Sequence, residues 1–150
     1  DDMDEPITDK VRGTLDGHIV LSRKLAHRAH FPAIDVLASI SRLAKRVSGQ
    51  KTQEAVLVMR RKMALYAENE DMITAGAYQA GSSPAIDDAI KSHDAIEAFL
   101  VQEEFAPSTL AETITKLAEI TGVEIPAEEY GGAGDASPEE AQIAVPSVEL

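Results

Sequence analysis

The 150-residue sequence contains no cysteine and no tryptophan, and only 4% of its residues are aromatic. Without cysteine the chain can form neither a disulfide framework nor a thiolate nucleophile. No apolar run approaches the roughly 18 to 20 residues that a membrane-spanning helix needs. The first residue is aspartate, and no signal-peptide pattern follows it. We interpret this start as a cut or a missing upstream segment.

Basic side chains are scarce in the last third of the chain. Residues 1–102 carry 15 acidic and 13 basic side chains, whereas residues 103–150 carry 11 acidic side chains and a single basic one, Lys116. The formal net charge of −12 is therefore a property of the carboxyl-terminal part. Because an acidic surface repels phosphates, this distribution argues against nucleic acid as a partner.

A phosphate-binding loop is also missing from the sequence. The pattern G-x-x-x-x-G-K-[ST], whose backbone cradles nucleotide phosphates, occurs nowhere in the chain. The glycine-rich segment GGAG at 131–134 lacks both the lysine and a preceding strand. We therefore expect that this chain by itself does not hydrolyse a nucleoside triphosphate.

Strand signals are confined to the first third of the chain. The run HIVLS at 18–22, with Ile19, Val20 and Leu21 at its centre, has the length of a strand, and we interpret it as a strand buried on both faces. The segment AIDVL at 33–37 is a second short strand or an extended segment. Because an isolated pair of strands is marginal in water, we interpret residues 1–48 as the trailing edge of an α/β sheet whose other strands lie upstream.

Helical signals dominate after Gly49. Apolar periodicity and capping residues predict four helices, at 52–68, 84–91, 93–104 and 109–121. Ser92 is interpreted as the cap that separates the middle two. Thr109 and Glu112 form the capping box of the last one, and Gly122 ends it. The sequence thus predicts a self-contained helical domain at 49–121, followed by an acidic, disordered tail at 122–150 that is rich in Gly, Ala, Pro, Ser and Glu.

Several of these segments closely resemble one family. The most specific are DDMDEPI at 1–7, LDGHIVLSRKLA at 15–26 and HFPAIDVLASISR at 30–42. Further similarity lies in 64–82, 95–102 and 108–121, so that the resemblance covers about four fifths of the chain. The family is that of the export ATPases of flagella and type III secretion systems, related more loosely to the catalytic subunits of rotary ATP synthases. The stretches DDMDEP and ENED favour the flagellar branch.

The resemblance implies a fold and an assembly. It predicts a mostly α chain that supplies the last strands of a RecA-like P-loop domain and then the whole of an all-α carboxyl-terminal domain. Members of this family hydrolyse ATP with Mg²⁺ as homohexamers in the cytoplasm, at the inner face of the membrane and peripheral to it at most. They contact a coiled-coil stalk protein, release chaperones and unfold export substrates. The residues that bind ATP and Mg²⁺ are expected mainly upstream of this chain.

Arg42 is the residue for which the resemblance implies a catalytic role. It occupies the family's arginine-finger position, from which it would reach into the nucleotide site of the neighbouring subunit. That chemistry needs arginine, because a planar guanidinium can meet two phosphate oxygens at once. The sequence alone offers only a plainer interpretation, an ordinary surface or ion-pair arginine.

One further residue and one segment each allow two interpretations. Phe31 stands where the related synthase subunits place an aromatic ring on the adenine base, and it is equally well explained as a core phenylalanine beside a proline. The segment 76–84, GAYQAGSSP, aligns with the synthase loop that touches the central stalk. Its glycine and serine content is also that of a plain turn between helices.

The sequence predicts no metal site. Asp1, Asp2, Asp4 and Glu5 lack the spacing of a calcium loop, and the family resemblance implies a structural loop there. His27 and His30 are spaced like two ligands but lack a third, so solvated histidines at a helix end are the simpler interpretation. The basic cluster Arg60, Arg61 and Lys62 is interpreted as a solvated helix face, with a contact to acidic substrate or lipid as the alternative.

Two other classes of function stay open. The chain is alternatively a free-standing, non-catalytic helical module that binds the ring or its clients. It is alternatively a non-catalytic subunit of a rotary ATPase, in which an arginine at the same place also acts on a neighbour. The combination of DDMDEP with LASISR argues against the rotary subunit.

Overall fold

The computed structural model of the chain describes residues 6–130. The first part, residues 6–48, contains five short elements: α1 (Pro6–Thr14), β1 (Gly17–Leu21), α2 (Arg23–His27), β2 (Ile34–Ser41) and α3 (Ala44–Val47). The second part contains three long helices and one turn of 3₁₀ helix: α4 (Gln50–Thr74), α5 (Pro84–Leu100), α6 (Leu110–Thr121) and Ala127–Glu129. We call residues 6–48 the hairpin unit and residues 49–130 the helical unit.

The two strands of the hairpin unit pair antiparallel, with Gly17 opposite Ser41 and Leu21 opposite Ile34. An irregularity between His18 and Val20 breaks the register. Sequence reasoning predicted that β1 is buried on both faces, but within the described chain Ile19 is 70% exposed. The second strand is longer than predicted, because pairing with β1 continues as far as Ser41.

The core of the described chain lies in the helical unit. Its buried side chains come from all three helices: Ala55, Met59, Ile96, Ile114 and Leu117. Partly buried Met63, Phe99 and Ile120 extend this cluster. The hairpin unit contacts the helical unit mainly through β2 and α4. No helix among the described residues is long and apolar enough to cross a membrane.

The predicted break at Ser92 does not exist, because α5 runs without interruption from Pro84 to Leu100. The ammonium of Lys62 on α4 donates to the hydroxyl of Ser92 at 2.9 Å and pairs with Asp88 at 3.1 Å. Ser92 therefore joins α5 to α4, and it does not cap a helix. A serine hydroxyl suits both tasks, and the sequence alone does not distinguish them.

The capping box of α6 is confirmed in detail. Thr109 accepts from the backbone N–H of Glu112 at 3.2 Å, and the Glu112 carboxylate accepts from the backbone N–H of Thr109 at 2.8 Å. This backbone hydrogen bond holds the pKa of Glu112 below its ordinary value. The helix ends at Gly122, whose φ of 71° is left-handed and favours glycine.

The segment that follows α6 begins as folded chain. Val123, Ile125 and Tyr130 pack against the core, so the tail predicted from residue 122 does not start there. The carboxylate of Glu129 accepts from the backbone N–H groups of Lys51 and Thr52 at 2.8 and 2.7 Å, and thereby caps α4. The remainder of the predicted tail, 131–150, lies outside the described residues.

The Glu129 cap explains why the residue before α4 is glycine. A Cβ atom on Gly49 would collide with the carboxyl group of Glu129, so any other residue displaces the cap. Burial by itself would raise the pKa of Glu129, but the hydrogen bonds from Lys51 and Thr52 outweigh it and lower this pKa. The cap therefore joins the two ends of the helical unit.

Candidate functional site

Arg42 directly follows β2, and its main chain is fixed. Its backbone N–H donates to the carbonyl of Asp16 at 2.8 Å, which extends the strand pairing by one residue. Gly17 allows this close approach, since a Cβ atom there would lie 2.6 Å from the carbonyl oxygen of Ile40. The backbone that carries Arg42 is therefore held by contacts that its side chain does not use.

The guanidinium of Arg42 is exposed and only loosely held. Among the described residues its one contact is a long 3.5 Å approach to the carbonyl of Gly13. By contrast, the guanidinium of Arg60 donates to the carbonyls of Val36 and Leu37 at 2.6 and 3.0 Å. An arginine that carries structure in this fold thus makes short, paired contacts, and Arg42 does not.

Phe31 lies at the other end of β2, on a sharply shaped loop. Ala29 has a positive φ of 58°, and the peptide bond between Phe31 and Pro32 is cis. The carbonyl of Phe31 accepts from the backbone N–H of Gln102, just after α5, at 2.8 Å. The Phe31 side chain is nevertheless 53% exposed, so within the described chain it is not a core residue.

The histidine beside Phe31 is buried, contrary to the sequence interpretation. His30 lies beyond the end of α2 and is only 7% exposed, and its Nδ1 atom lies 3.1 Å from a carboxylate oxygen of Glu97 on α5. No group of His, Asp and Glu side chains in the described part of the chain is arranged to hold a metal ion. His30 is therefore a contact between the two units.

The basic cluster on α4 is not simply a solvated face. Arg60 binds the backbone of β2, and Lys62 binds Ser92 and Asp88 on α5. One turn further along α4, the ring of Tyr66 stacks on that of His93 with centroids 3.6 Å apart. These side chains hold the units and helices together and leave only Arg61 of the cluster exposed.

The segment between α4 and α5 is a turn, as predicted. Gly76 and Gly81 have positive φ angles of 67° and 88°. The carboxylate of Asp87 accepts from the hydroxyl of Tyr78 at 3.0 Å and from the backbone N–H of Gly81. The turn is thus tied to the first turn of α5. The acidic stretch Asp1–Glu5 lies outside the described residues.

The two predicted site residues do not form one cluster. Phe31 precedes β2 and Arg42 follows it, and the two ends of β2 pair with Leu21 and Gly17, which lie roughly 13 Å apart along β1. An open cleft of about 650 Å³ lies beside the Phe31 loop, lined by Pro32, Val101 and Lys116 among others, and neither Phe31 nor Arg42 lines it. The two residues therefore lie beyond opposite ends of β2 and do not meet in this cleft.

Comparison with known proteins decides the family. A model described as the type III secretion system EscN ATPase C-terminal domain matches residues 48–119, and one described as the ATP synthase alpha/beta family nucleotide-binding domain matches residues 1–41. The chain belongs to the family of flagellar and type III secretion ATPases. It is 53% identical over 125 residues to the flagellum-specific ATP synthase of Treponema pallidum (strain Nichols). The matched region covers 83% of this chain and 28% of that relative.

Solved structures agree with this assignment. The assembled ATPase EscN from the type III secretion system of enteropathogenic E. coli superposes with a TM-score of 0.77, at 38% identity, over 81% of this chain and 29% of that one. EscN in complex with its central stalk EscO superposes with a TM-score of 0.73, at 39% identity, over 77% of this chain and 29% of that one. The predicted fold class is confirmed, and the chain spans less than a third of its relatives' length.

Proposed function

We propose that this chain is the carboxyl-terminal part of an ATP-hydrolysing, ring-forming protein-export ATPase. In this proposal residues 1–48 complete the nucleotide-binding domain and residues 49–121 form the helical domain. The boundaries of the two family matches, at 41 and 48, support that division. The complete protein assembles as a homohexamer, binds ATP and Mg²⁺ mainly through residues outside this chain, and works in the cytoplasm at the inner face of the membrane.

The observation that carries the proposal is the state of Arg42. Its backbone is fixed by Asp16 and Gly17, whereas its guanidinium makes only one long contact among the described residues. An arginine finger requires a fixed backbone and a guanidinium that is free to bind a phosphoryl group. Its strongest interaction is with the negative charge that develops on that group during the reaction. Arg42 is proposed to stabilise that charge in the neighbouring subunit.

The separation of Phe31 from Arg42 supports action between subunits. The two residues lie beyond opposite ends of β2, and those ends are roughly 13 Å apart along the paired strand β1. In the proposed ring, Phe31 lies against the adenine of its own subunit's nucleotide, and Arg42 reaches the γ-phosphate of the nucleotide next door. Each chain therefore contributes to two nucleotide sites.

Substitution of Arg42 in the complete gene product tests the proposal. We expect Arg42→Ala to reduce the rate of ATP hydrolysis by about 10³-fold or more, with the ring intact by light scattering. Arg42→Lys is the matched variant, and we expect it to stay strongly impaired because a lysine cannot form the bidentate contact. An intact Arg42→Ala ring that hydrolyses ATP within a few-fold of the wild-type rate would falsify the catalytic role.

The role of Phe31 has its own test. A flat ring stacks on a base and a branched aliphatic side chain does not, so we expect Phe31→Leu to raise the KM for ATP as much as Phe31→Ala does. Phe31→Tyr should keep the wild-type KM. Equal KM values in all four proteins would instead indicate that the ring packs against protein.

The turn at 76–84 is the proposed contact for a coiled-coil stalk protein. The relative EscN has been solved with its central stalk EscO, which supports a stalk partner for this chain as well. Chaperone–substrate complexes are proposed to dock on the helical unit. Alanine replacement of Gln79, which leaves both glycines and Tyr78 in place, should weaken capture of the stalk protein; unchanged capture contradicts the assignment of this turn.

A free-standing binding module is the second candidate, and one observation favours it. The helical unit has its own core, formed by α4, α5 and α6, and depends little on the hairpin unit for burial. Such a module would bind ring or client proteins without hydrolysing ATP. Measurable ATP hydrolysis that depends on Arg42 excludes this alternative.

A further inference from the structure

The loop between α2 and β2 combines a buried histidine with an exposed aromatic ring. His30 is 7% exposed, whereas Phe31, the next residue, is 53% exposed. Burying a polar imidazole is costly unless it is hydrogen-bonded, and the partner of His30 is the carboxylate of Glu97. In this loop the side chain of His30 is therefore buried, and that of Phe31 is exposed. We call the contact between His30 and Glu97 the anchor of the loop.

The anchor joins parts of the chain that are 67 residues apart. Glu97 lies in the last turn of α5, next to Ile96, which is 3% exposed and part of the core. In the tautomer that carries its proton on Nδ1, His30 donates this hydrogen bond to the carboxylate of Glu97. The anchor therefore fixes the imidazole beside the buried core of the helical unit.

Two weaker ties hold the same loop. The guanidinium of Arg28 pairs with Glu70 on α4 at 3.0 Å, but its side chain is 54% exposed and contributes little. The carbonyl of Phe31 accepts from the backbone N–H of Gln102. The first tie precedes the loop's positive-φ residue, and the second holds the Phe31 backbone without contacting its ring.

We infer that His30 and Glu97 are positioning residues that hold the Phe31 ring in place for the adenine base of the bound nucleotide. This inference rests on the proposed function, in which Phe31 meets that base. With His30 fixed on one side and Pro32 on the other, the Phe31 backbone has little freedom to rotate, so the position from which the ring projects is set before the nucleotide arrives. A substitution that breaks the contact between His30 and Glu97 therefore leaves the Phe31 ring present but more mobile.

A fluorescent reporter tests the positioning role on the 150-residue chain itself. The sequence has no tryptophan, so Phe31→Trp introduces a single indole emitter at the position in question. In that background we expect His30→Ala and Glu97→Leu each to lower the fluorescence anisotropy of the indole and to increase its quenching by acrylamide, because each removes one partner of the hydrogen bond. His30→Asn, which keeps a nitrogen donor near the position of Nδ1, should restore most of the anisotropy.

Matched controls separate positioning from general stability. Lys51→Ala breaks an exposed ion pair with Glu54 on α4, and the indole signal should not respond to it. If His30→Ala unfolds the chain, as judged by circular dichroism, Glu97→Leu decides, because Glu97 is 45% exposed and a leucine has a similar volume but no hydrogen-bond acceptor. Unchanged anisotropy and quenching in a folded Glu97→Leu protein overturn the inference.

Kinetics in the complete gene product provide the second readout. We expect His30→Ala to raise the KM for ATP about tenfold, the equivalent of one net hydrogen bond, with kcat within a few-fold of wild type. An unchanged KM overturns the positioning role. If ATP fails to quench the indole of the Phe31→Trp gene product, the base contact of Phe31 fails instead, and the anisotropy comparison still decides whether His30 and Glu97 hold the ring.

Discussion

The hairpin unit and the helical unit treat similar side chains in opposite ways. Leu21 of the hairpin unit is 74% exposed, whereas Leu117 of the helical unit is 5% exposed. Within residues 6–130, Arg42 in the first unit makes one long side-chain contact, whereas Arg60 in the second makes two short ones. In these two pairs the hairpin unit leaves the side chain exposed or loosely held, and the helical unit uses it for packing. Matched substitutions in the two units test this contrast.

The largest expected effect is on the rate of ATP hydrolysis after substitution of Arg42. Arg42→Ala should reduce ATP hydrolysis by the equivalent of about 4 kcal/mol in activation free energy, while its unfolding free energy changes by less than about 0.5 kcal/mol. Rate measurements on the complete gene product and urea unfolding of the 150-residue chain provide the two values. A large loss of stability in Arg42→Ala would mean that this arginine carries structure, and the contrast between the units would be lost.

The next effect separates the two leucines. Leu117→Ala removes a buried side chain from the core and should lower the unfolding free energy by about 2 to 5 kcal/mol. Leu21→Ala should change it by less than about 0.5 kcal/mol, because that side chain is already exposed in the described chain. Urea unfolding followed by circular dichroism measures both. Comparable losses in the two variants would show that the hairpin unit has a core of its own.

Arg60→Ala should produce an intermediate effect that is local to the contact between the units. The substitution removes two charged hydrogen bonds to β2 and leaves the carbonyls of Val36 and Leu37 to find water. We expect a loss of about 2 kcal/mol, together with faster amide hydrogen exchange in β2 than in α5. Uniformly faster exchange throughout the chain would contradict a local role.

The smallest effect concerns the Glu129 cap and depends on pH. Because the pKa of Glu129 is lowered by folding, its stabilising contribution is complete above the ordinary glutamate pKa and disappears as the pH falls through the lowered value. Glu129→Gln should therefore lower the Tm at neutral pH and have a diminishing effect as the solution is acidified below the ordinary glutamate pKa. Glu128→Gln, in the same turn but exposed, is the control. A Tm difference that is constant over this range would argue against the cap.

Sequence reasoning succeeded where the signal is local. The capping box joins Thr109 to a residue three positions away, so both partners are visible in one short window. It failed at Ser92, because the partner that decides its role, Lys62, lies on another helix. It also placed the end of the folded chain too early, since the contact between Glu129 and Thr52 joins opposite ends of the helical unit.

The candidate site shows the same limit. Periodicity and composition do not distinguish Arg42 from any other arginine, and only the family resemblance drew attention to it. His30 was misinterpreted because the carboxylate that contacts it is 67 residues away. One signal was available: a histidine so close to an X-Pro bond at the start of a strand is poorly placed for a solvated helix end, since the residue before proline disfavours helical geometry.

The most direct test of the account asks whether Arg42 acts on a neighbouring subunit. Arg42→Ala and a variant that lacks the P-loop lysine are each expected to be inactive as pure rings of the complete gene product. When the two are unfolded together and reassembled, some interfaces pair an intact P-loop with an intact Arg42. The account predicts that ATP hydrolysis returns in these mixed rings. Mixed rings that assemble but stay as inactive as the parents would contradict it.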